Sequence, residues 1–401
     1  LSNVRALASI AHQSQAAELF EAGNPDSLAT TLTHLLTNPD RRHHLAQTGA
    51  TWVRTHRTWT ANATSYLTLY NDMGAITPDG LVALLTRQGR PLAAFEAAKR
   101  TGAWPRQDLA LLRRLRDSLV KFGYLRQAAE VAELCASQGN HQDVRERARI
   151  AGEIAVLSGE FVPVVRAEAD GYVPRPGRVL HVVGTALPHT QSGYTLRTHY
   201  TAVAQLAAGL QPHVVTHMGY AHDGDDYLQA EIDGVTYHRV PGPARGSVPL
   251  DVWLGTHVQR VANVVRKVRP AVLHAASDYL NALTAEAIGK QYGIPVVYES
   301  RGFWEETWLS RQAQTFGWDL TELEATHGLP DVYLWRRDIE DRCRRNADRV
   351  VTLADVMADR IEAGGVPRDR ITVIPNGVDV DAFPVQTRNR TLATQLGITD
   401  D

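Results

Sequence analysis

Between residues 178 and 380 the apolar positions come in short unbroken runs rather than in alternation. Candidate strands are 179–183 (VLHVV), 213–217, 235–240, 271–274, 295–298, 349–353 and 371–374. Runs of this kind, buried on both faces, belong to parallel sheets, whereas alternation marks a sheet with one wet face. Between them the period changes to that of helices, over 193–209, 251–268, 279–292, 332–346 and 355–363. Leu196, Tyr200, Val203 and Leu206 form one stripe, and Trp335, Ile339, Cys343 and Ala347 another. Strand–helix alternation predicts a Rossmann-like, doubly wound α/β domain with ligands at the carboxyl ends of its strands, near a topological switch point.

The first 175 residues follow other patterns. In 1–74, Gly23-Asn24-Pro25-Asp26 is turn chemistry after a strand end, with Asp26 or Ser27 placed to cap the next helix and Leu28, Leu32, Leu35 and Leu36 on one helical face. Two further helices carry Leu45, Trp52 and Val53, then Trp59, Tyr66, Leu69 and Tyr70. Residues 75–175 are Ala- and Leu-rich and helical. Gly89, Gly123 and Gly159 recur at spacings of 34 and 36, the period of tetratricopeptide-like (TPR-like) helical pairs; an irregular helical connector fits as well. Either serves as a spacer or as a docking surface for a protein partner. Asp170–Gly177 (DGYVPRPG) is a linker.

Composition narrows the classes. The 401 residues are 44% hydrophobic and 21% charged, which is globular, and the net charge of −2 gives no electrostatic case for nucleic acid. Cys135 and Cys343 stand far apart, with neither disulfide nor zinc spacing, as expected in a reducing compartment. No apolar run approaches the ~20 residues of a membrane span. The chain starts at Leu1 without Met or leader, as expected of an internal fragment of a longer protein.

One stretch combines strand, loop and helix start. After Val179–Val183, Gly184 ends the run, a polar loop follows, and Ser192-Gly193-Tyr194 opens a helix. Unpaired N–H groups and the dipole make such a helix start an anion site, and glycine permits close backbone approach. An ordinary βα turn has the same layout. Gly184 and Gly193 are nine apart, so this is not the dinucleotide fingerprint.

HVVGTALPHTQSGYTLRTH, RPAVLHAASDYLNALTAEAIGKQYGIPVVYESRGFWEE, RVVTLADVMADRI and ITVIPNGVDVDAF together resemble the acceptor-side domain of the retaining GT-B glycosyltransferase family 4. Pro375-Asn376-Gly377-Val378-Asp379 is similar to that family's link between its two Rossmann-like domains. AELFEAGNPDSLATTLTHLLTNPDRRHHLAQTGATWV and RTWTANATSYLTLY resemble the end of its donor domain. The resemblance implies four parts: a donor-domain tail at 1–74, a helical connector at 75–175, the acceptor-side domain at 176–380, and the start of a second donor domain at 381–401. A permuted arrangement, with 1–74 docked on 178–401, is the rival.

The resemblance implies transfer of a sugar from a UDP- or GDP-sugar to a glycan or lipid-linked hydroxyl acceptor with retention, in polysaccharide or cell-envelope synthesis. It implies no cofactor or metal, and a cytoplasmic location, peripheral at the inner membrane face. Ser192, Gly193, Tyr194 and Arg197 would meet the donor diphosphate, with Asn376 and Gly377 on the link. Glu299 and Arg301, after the strand PVVY, are the candidate catalytic pair, and stand where the family often has a histidine; a buried Glu–Arg pair holding the loop is the plainer reading. Arg197 is otherwise an interdomain arginine. His274, Asp278 (otherwise a helix cap), Gly302, Trp304 and Glu305 are candidate substrate contacts, the last two in an aromatic and acidic loop. Asp223-Gly224-Asp225-Asp226 reads as a polar turn rather than a metal site. The family's donor-side glutamate pair and phosphate-binding basic residue have no match, so this chain alone is expected to be catalytically incomplete. Two other functions fit some of these features: a non-catalytic helical scaffold with degenerate transferase pieces, and a GT-B sugar-nucleotide epimerase.

Overall fold

The computed structural model describes residues 1–72, 77–102, 104, 108–166, 171–220, 228–378, 380 and 387–398. The apolar runs form an eight-stranded sheet: β1 (Arg178–Val182), β2 (Gln211–Val215), β3 (Leu228–Ile232), β4 (Val235–Arg239), β5 (Val272–Ala276), β6 (Val296–Ser300), β7 (Arg349–Thr352) and β8 (Ile371–Val373). Their order is β3-β4-β2-β1-β5-β6-β7-β8. All neighbours pair in parallel except β3, which hairpins antiparallel onto β4 at the edge. Setting β3 aside, the parallel strands run in the doubly wound order, which reverses between β1 and β5.

The helices follow in chain order: α1 (Arg5–Ser14), α2 (Pro25–Thr37), α3 (Pro39–His56), α4 (Trp59–Asp72), α5 (Pro78–Arg87), α6 (Pro91–Thr101), α7 (Leu109–Phe122), α8 (Leu125–Gln138) and α9 (His141–Leu157). Within the sheet domain come α10 (Gly193–Ala207), α11 (Leu250–Val268), α12 (Tyr279–Tyr292), α13 (Trp304–Phe316), α14 (Leu323–His327), α15 (Asp331–Asn346) and α16 (Asp355–Ala363), and α17 (Arg390–Gln395) follows β8. Both sheet faces are covered. Leu180, Val182 and Val215 join the main core with α11, α12 and α15, while Val183, Val214 and Tyr237 pack with Ala202 of α10.

Helices α5–α9 do not hang free of the sheet domain. Leu309, Ala313, Trp318 and Leu323 of the α13–α14 region lie in the same core as Leu112, Leu115 and Phe122, and Leu125, Val156 and Leu157 enter the main core. The seam is also polar. Asp331 accepts from the Arg126 N–H at the start of α8 (3.0 Å), an end that has no side-chain cap of its own. Tyr124 Oη donates to the His327 carbonyl at 2.7 Å.

Three local expectations change. The cap of α2 is Asn24, whose Oδ1 accepts from Asp26 and Ser27, instead of either of those residues. Leu28, Leu32 and Leu36 of α2 remain exposed. The Trp304–Glu306 stretch is the first turn of α13 and not a loop. The Asp223–Asp226 turn, Asp170 and Asp379 lie outside the described residues.

Candidate functional site

At the switch point β1 sends its chain into α10 and β5 sends its chain into α12, and a cavity of about 300 Å³ opens between their carboxyl ends. The start of α10 forms one wall. Ser192 caps it: its Oγ accepts from the Thr195 N–H (3.3 Å) and Thr195 Oγ1 accepts from the Ser192 N–H (2.9 Å). A Cβ added at Gly193 would meet nothing within 4 Å. Packing within the protein therefore does not require glycine there, and the space beside the helix start is open to a ligand. Tyr194 lines the cavity with its ring against Trp304, centroids 5.0 Å apart. Across the cavity stand Ser277 and Asp278. Asp278 also caps α12, accepting from the Leu280 N–H at 3.2 Å, so the helix-cap reading holds for a side chain that lines the cavity.

Behind this wall, Glu299 gathers the charges. It is 1% exposed. Its Oε2 accepts from Arg301 Nε (2.8 Å) and Nη2 (2.5 Å) and lies 3.2 Å from His274 Nε2; its Oε1 accepts from Arg197 Nε at 2.7 Å. Burial works to raise its pKa, but the His274 hydrogen bond and the Arg301 charge override it and hold the carboxyl well below the usual range. Both of its oxygens are engaged by protein groups, the geometry of a buried Glu–Arg pair. Arg301 lines the cavity, and its Nη1 also donates to the Tyr194 carbonyl and to Thr198 Oγ1, both 2.8 Å. The guanidinium thus ties β6 to α10.

Arg197 turns the other way. Its Nη1 donates to the Pro375 carbonyl (3.1 Å) and to Asn376 Oδ1 (2.8 Å), and its Nη2 donates to the Ile374 carbonyl (2.9 Å). It fastens the 374–376 segment to the sheet through Glu299. Gly377 is exposed. His274 sits behind Glu299, stacked on His181 at 4.6 Å. Burial pushes His181 down to about 3, so that ring is neutral.

Glu305 does not reach the cavity. It is 1% exposed inside the protein, 3.6 Å from Arg344, and burial pushes its carboxyl up. The helical turn that replaces the expected loop points Trp304 at the cavity and Glu305 inward. Gly302 lies beside Tyr194, whose Oη would be 3.3 Å from a Cβ there. The cavity also holds residues that pattern reading missed: Thr198, His217, Arg245 and Asn281. Arg245 is 3.7 Å from Asp278. A larger concavity of about 630 Å³ opens at the opposite, amino ends of β6 and β7, beside Glu286, Lys290 and Asp348. It contains none of the candidate residues.

Residues 192–382 match the family model described as Glycosyltransferase Family 4. This segment, just under half of the chain, is similar to a glycosyltransferase family 4 domain. It covers the helix start at Ser192–Tyr194, the Glu299–Arg301 cluster and the 374–377 segment. No curated protein matches the chain. Among solved structures, HepE of Anabaena in complex with UDP-glucose is 14% identical, over 56% of this chain and 50% of its own, with a TM-score of 0.35. Sucrose-phosphate synthase from Thermosynechococcus elongatus is 15% identical over 55% of this chain and 95% of its own (TM-score 0.33). UDP-N-acetylglucosamine 2-epimerase from Rickettsia bellii is 15% identical over 48% and 43% (TM-score 0.30). The chain spans about half the length of the HepE chain it matches. No described helix is long and apolar enough to cross a membrane.

Proposed function

We propose that the family 4 domain binds a nucleoside-diphosphate sugar and supports transfer of the sugar to a hydroxyl acceptor with retention, in glycan or polysaccharide synthesis. The observation that supports this reading most is the open start of α10 at the switch point, beside Arg301. Gly193 leaves room for an anion against the first N–H groups of the helix. Glu299 carries one negative charge against the positive charges of Arg197 and Arg301, so the cluster leaves an excess of one positive charge near that helix start. Charge developing on a leaving diphosphate would be stabilised there by groups already in place.

In this reading Ser192, Gly193 and Tyr194 face the diphosphate, and Arg301 contributes charge while held by Glu299. Arg197 is a positioning residue for the 374–376 segment. The donor-side acid pair that the resemblance implies has no match in this sequence, so the chain by itself binds nucleotide sugar weakly and turns it over little. The helical connector, α5–α9, serves as a spacer or as a docking surface for a protein partner.

Calorimetric titration with UDP, GDP and their sugars at millimolar concentration tests the site. Binding is expected, weakened at least tenfold by Gly193→Val with no change in melting temperature. Absence of binding by every nucleotide, or full affinity in the variant, overturns the reading. Nucleoside diphosphate release, followed in parallel, is expected to stay near background; robust turnover by residues 1–401 would refute the claim of incompleteness.

A further inference from the structure

Among the polar groups lining the cavity that the donor reading leaves unused is the Nδ1 of His217. We infer that His217 accepts a hydrogen bond from a carbohydrate hydroxyl through Nδ1, on the side of the cavity that receives the sugar. This rests on the glycosyltransferase reading and assigns one residue to recognition of the acceptor.

The protonation of the ring follows from its neighbours. Asn281 lies against the Ala276 carbonyl at 2.7 Å. A carbonyl oxygen only accepts, so the asparagine must turn its NH₂ toward it and its Oδ1 the other way. That Oδ1 is 2.9 Å from His217 Nε2. It too only accepts, so Nε2 carries the hydrogen. A neutral imidazole has one N–H, which leaves Nδ1 with a bare lone pair. Burial pushes His217 down to about 4, with Asp278 and Arg245 acting in opposite directions, so the ring stays neutral near pH 7. Among the described residues none donates to Nδ1.

The ring is also fixed in place. Trp253 and His257 meet it edge to face at 5.0 and 5.3 Å. The edge bearing Cε1 and Nδ1 faces Gly184, and both residues line the cavity. A Cβ added at that glycine would lie 3.3 Å from His217 Cε1 and 3.5 Å from Nδ1, partly covering the lone pair. Residue 184 is not among the positive-φ glycines, so backbone conformation does not require glycine here, and clearance over the imidazole does explain it.

The surroundings point to the ligand class. Ser192, Thr198 and Ser277 bring hydroxyls to the same cavity, Asp278 a carboxylate, and Trp304 an aromatic surface. Hydroxyls and a carboxylate beside the aromatic side chains of Tyr194 and Trp304 suit a ring that carries hydroxyls.

The test uses the full chain with ¹⁵N-labelled histidine and three probes, the methyl α-glycosides of glucose, galactose and mannose. Without sugar, His217 is expected to show a protonated Nε2 and an unprotonated Nδ1 at pH 7. With at least one glycoside the Nδ1 resonance should move toward the protonated range, as acceptance of a hydrogen bond requires. A protonated Nδ1, or no shift with any of the three, overturns the inference without recourse to a variant. His217→Phe, which keeps the ring shape, and Gly184→Ala, which covers the edge but keeps the Asn281 bond, should each weaken glycoside binding roughly tenfold, the worth of one hydrogen bond. Unchanged affinity in both also overturns it. Titration with UDP- and GDP-sugars separates the two claims: nucleotide binding without a response at His217 leaves the donor reading standing and removes this one, and the reverse result does the opposite.

Discussion

At the scale of single residues, Glu299 is the member of the cluster whose loss should be felt most. Two guanidinium groups and His274 converge on it, and removing one partner from such a buried set typically costs about 3–5 kcal/mol. Glu299→Gln is therefore expected to destabilise the protein by that order at pH 7. The loss should depend on pH. The folded-state pKa of Glu299 lies below its ordinary 4.5, so its stabilisation is fully present above pH 4.5 and drains away as pH falls toward the folded value. Urea unfolding of both proteins at neutral pH and at pH 4 or below should show the gap narrowing; a gap of constant size would contradict it. The same residues show what pattern reading reached. Glu299 and Arg301 were legible because two charges follow a buried apolar run. Arg197 was legible as a cation but not as a clasp, since its partners are 102 and 177 to 179 residues away. His217 gave no signal at all: the asparagine that sets its tautomer lies 64 residues further on.

At the scale of elements, the turn between α7 and α8 carries part of the contact between the helical segment and the sheet domain. Gly123 sits there at φ +86°, and a Cβ would lie 2.7 Å from the Trp308 ring and 3.1 Å from Pro330. Gly177 has a similar φ of +78° with nothing within 4 Å. Gly123→Ala should cost about 2 kcal/mol or more, from backbone strain plus the clash, and Gly177→Ala only about 1 kcal/mol from strain. Paired thermal melts measure the difference, and equal losses would show that the turn is not tightly seated on Trp308. Elements with a strong period were readable: seven strands and five helices of the sheet domain stand within a few residues of their expected places. Strand β3 was not, because a five-residue edge strand (LQAEI) buries too little to need a continuous apolar run. Helix α13 was missed for a related reason. Its first turn mixes tryptophan with two glutamates, and the burial of Glu305 against Arg344 depends on a residue 39 positions further along, on α15.

For the whole molecule, the distribution of core predicts how it unfolds. Residues 78–157 share buried clusters with α11–α15, so the helical segment and the sheet domain have no apolar boundary along which to separate. Helices α2 and α3 bury none of their residues, and Leu32, Leu36 and Trp59 are 48%, 73% and 87% exposed. Local opening is least costly where few apolar contacts must break. Hydrogen exchange should therefore be fast across α2–α4 and slow across α7–α9, α11 and α12, with α7–α9 and the sheet sharing one global opening event. Leu125→Ala tests the sharing directly. Leu125 belongs to α8 but lies in the core of the sheet domain at 1% exposure, and truncating it should cost about 2–5 kcal/mol. If the two regions form one cooperative unit, the variant will speed exchange by the same factor in α8, α12 and β5 while α2–α4 stay unchanged. Acceleration confined to α7–α9 would show that the helical segment opens independently, despite the core it shares.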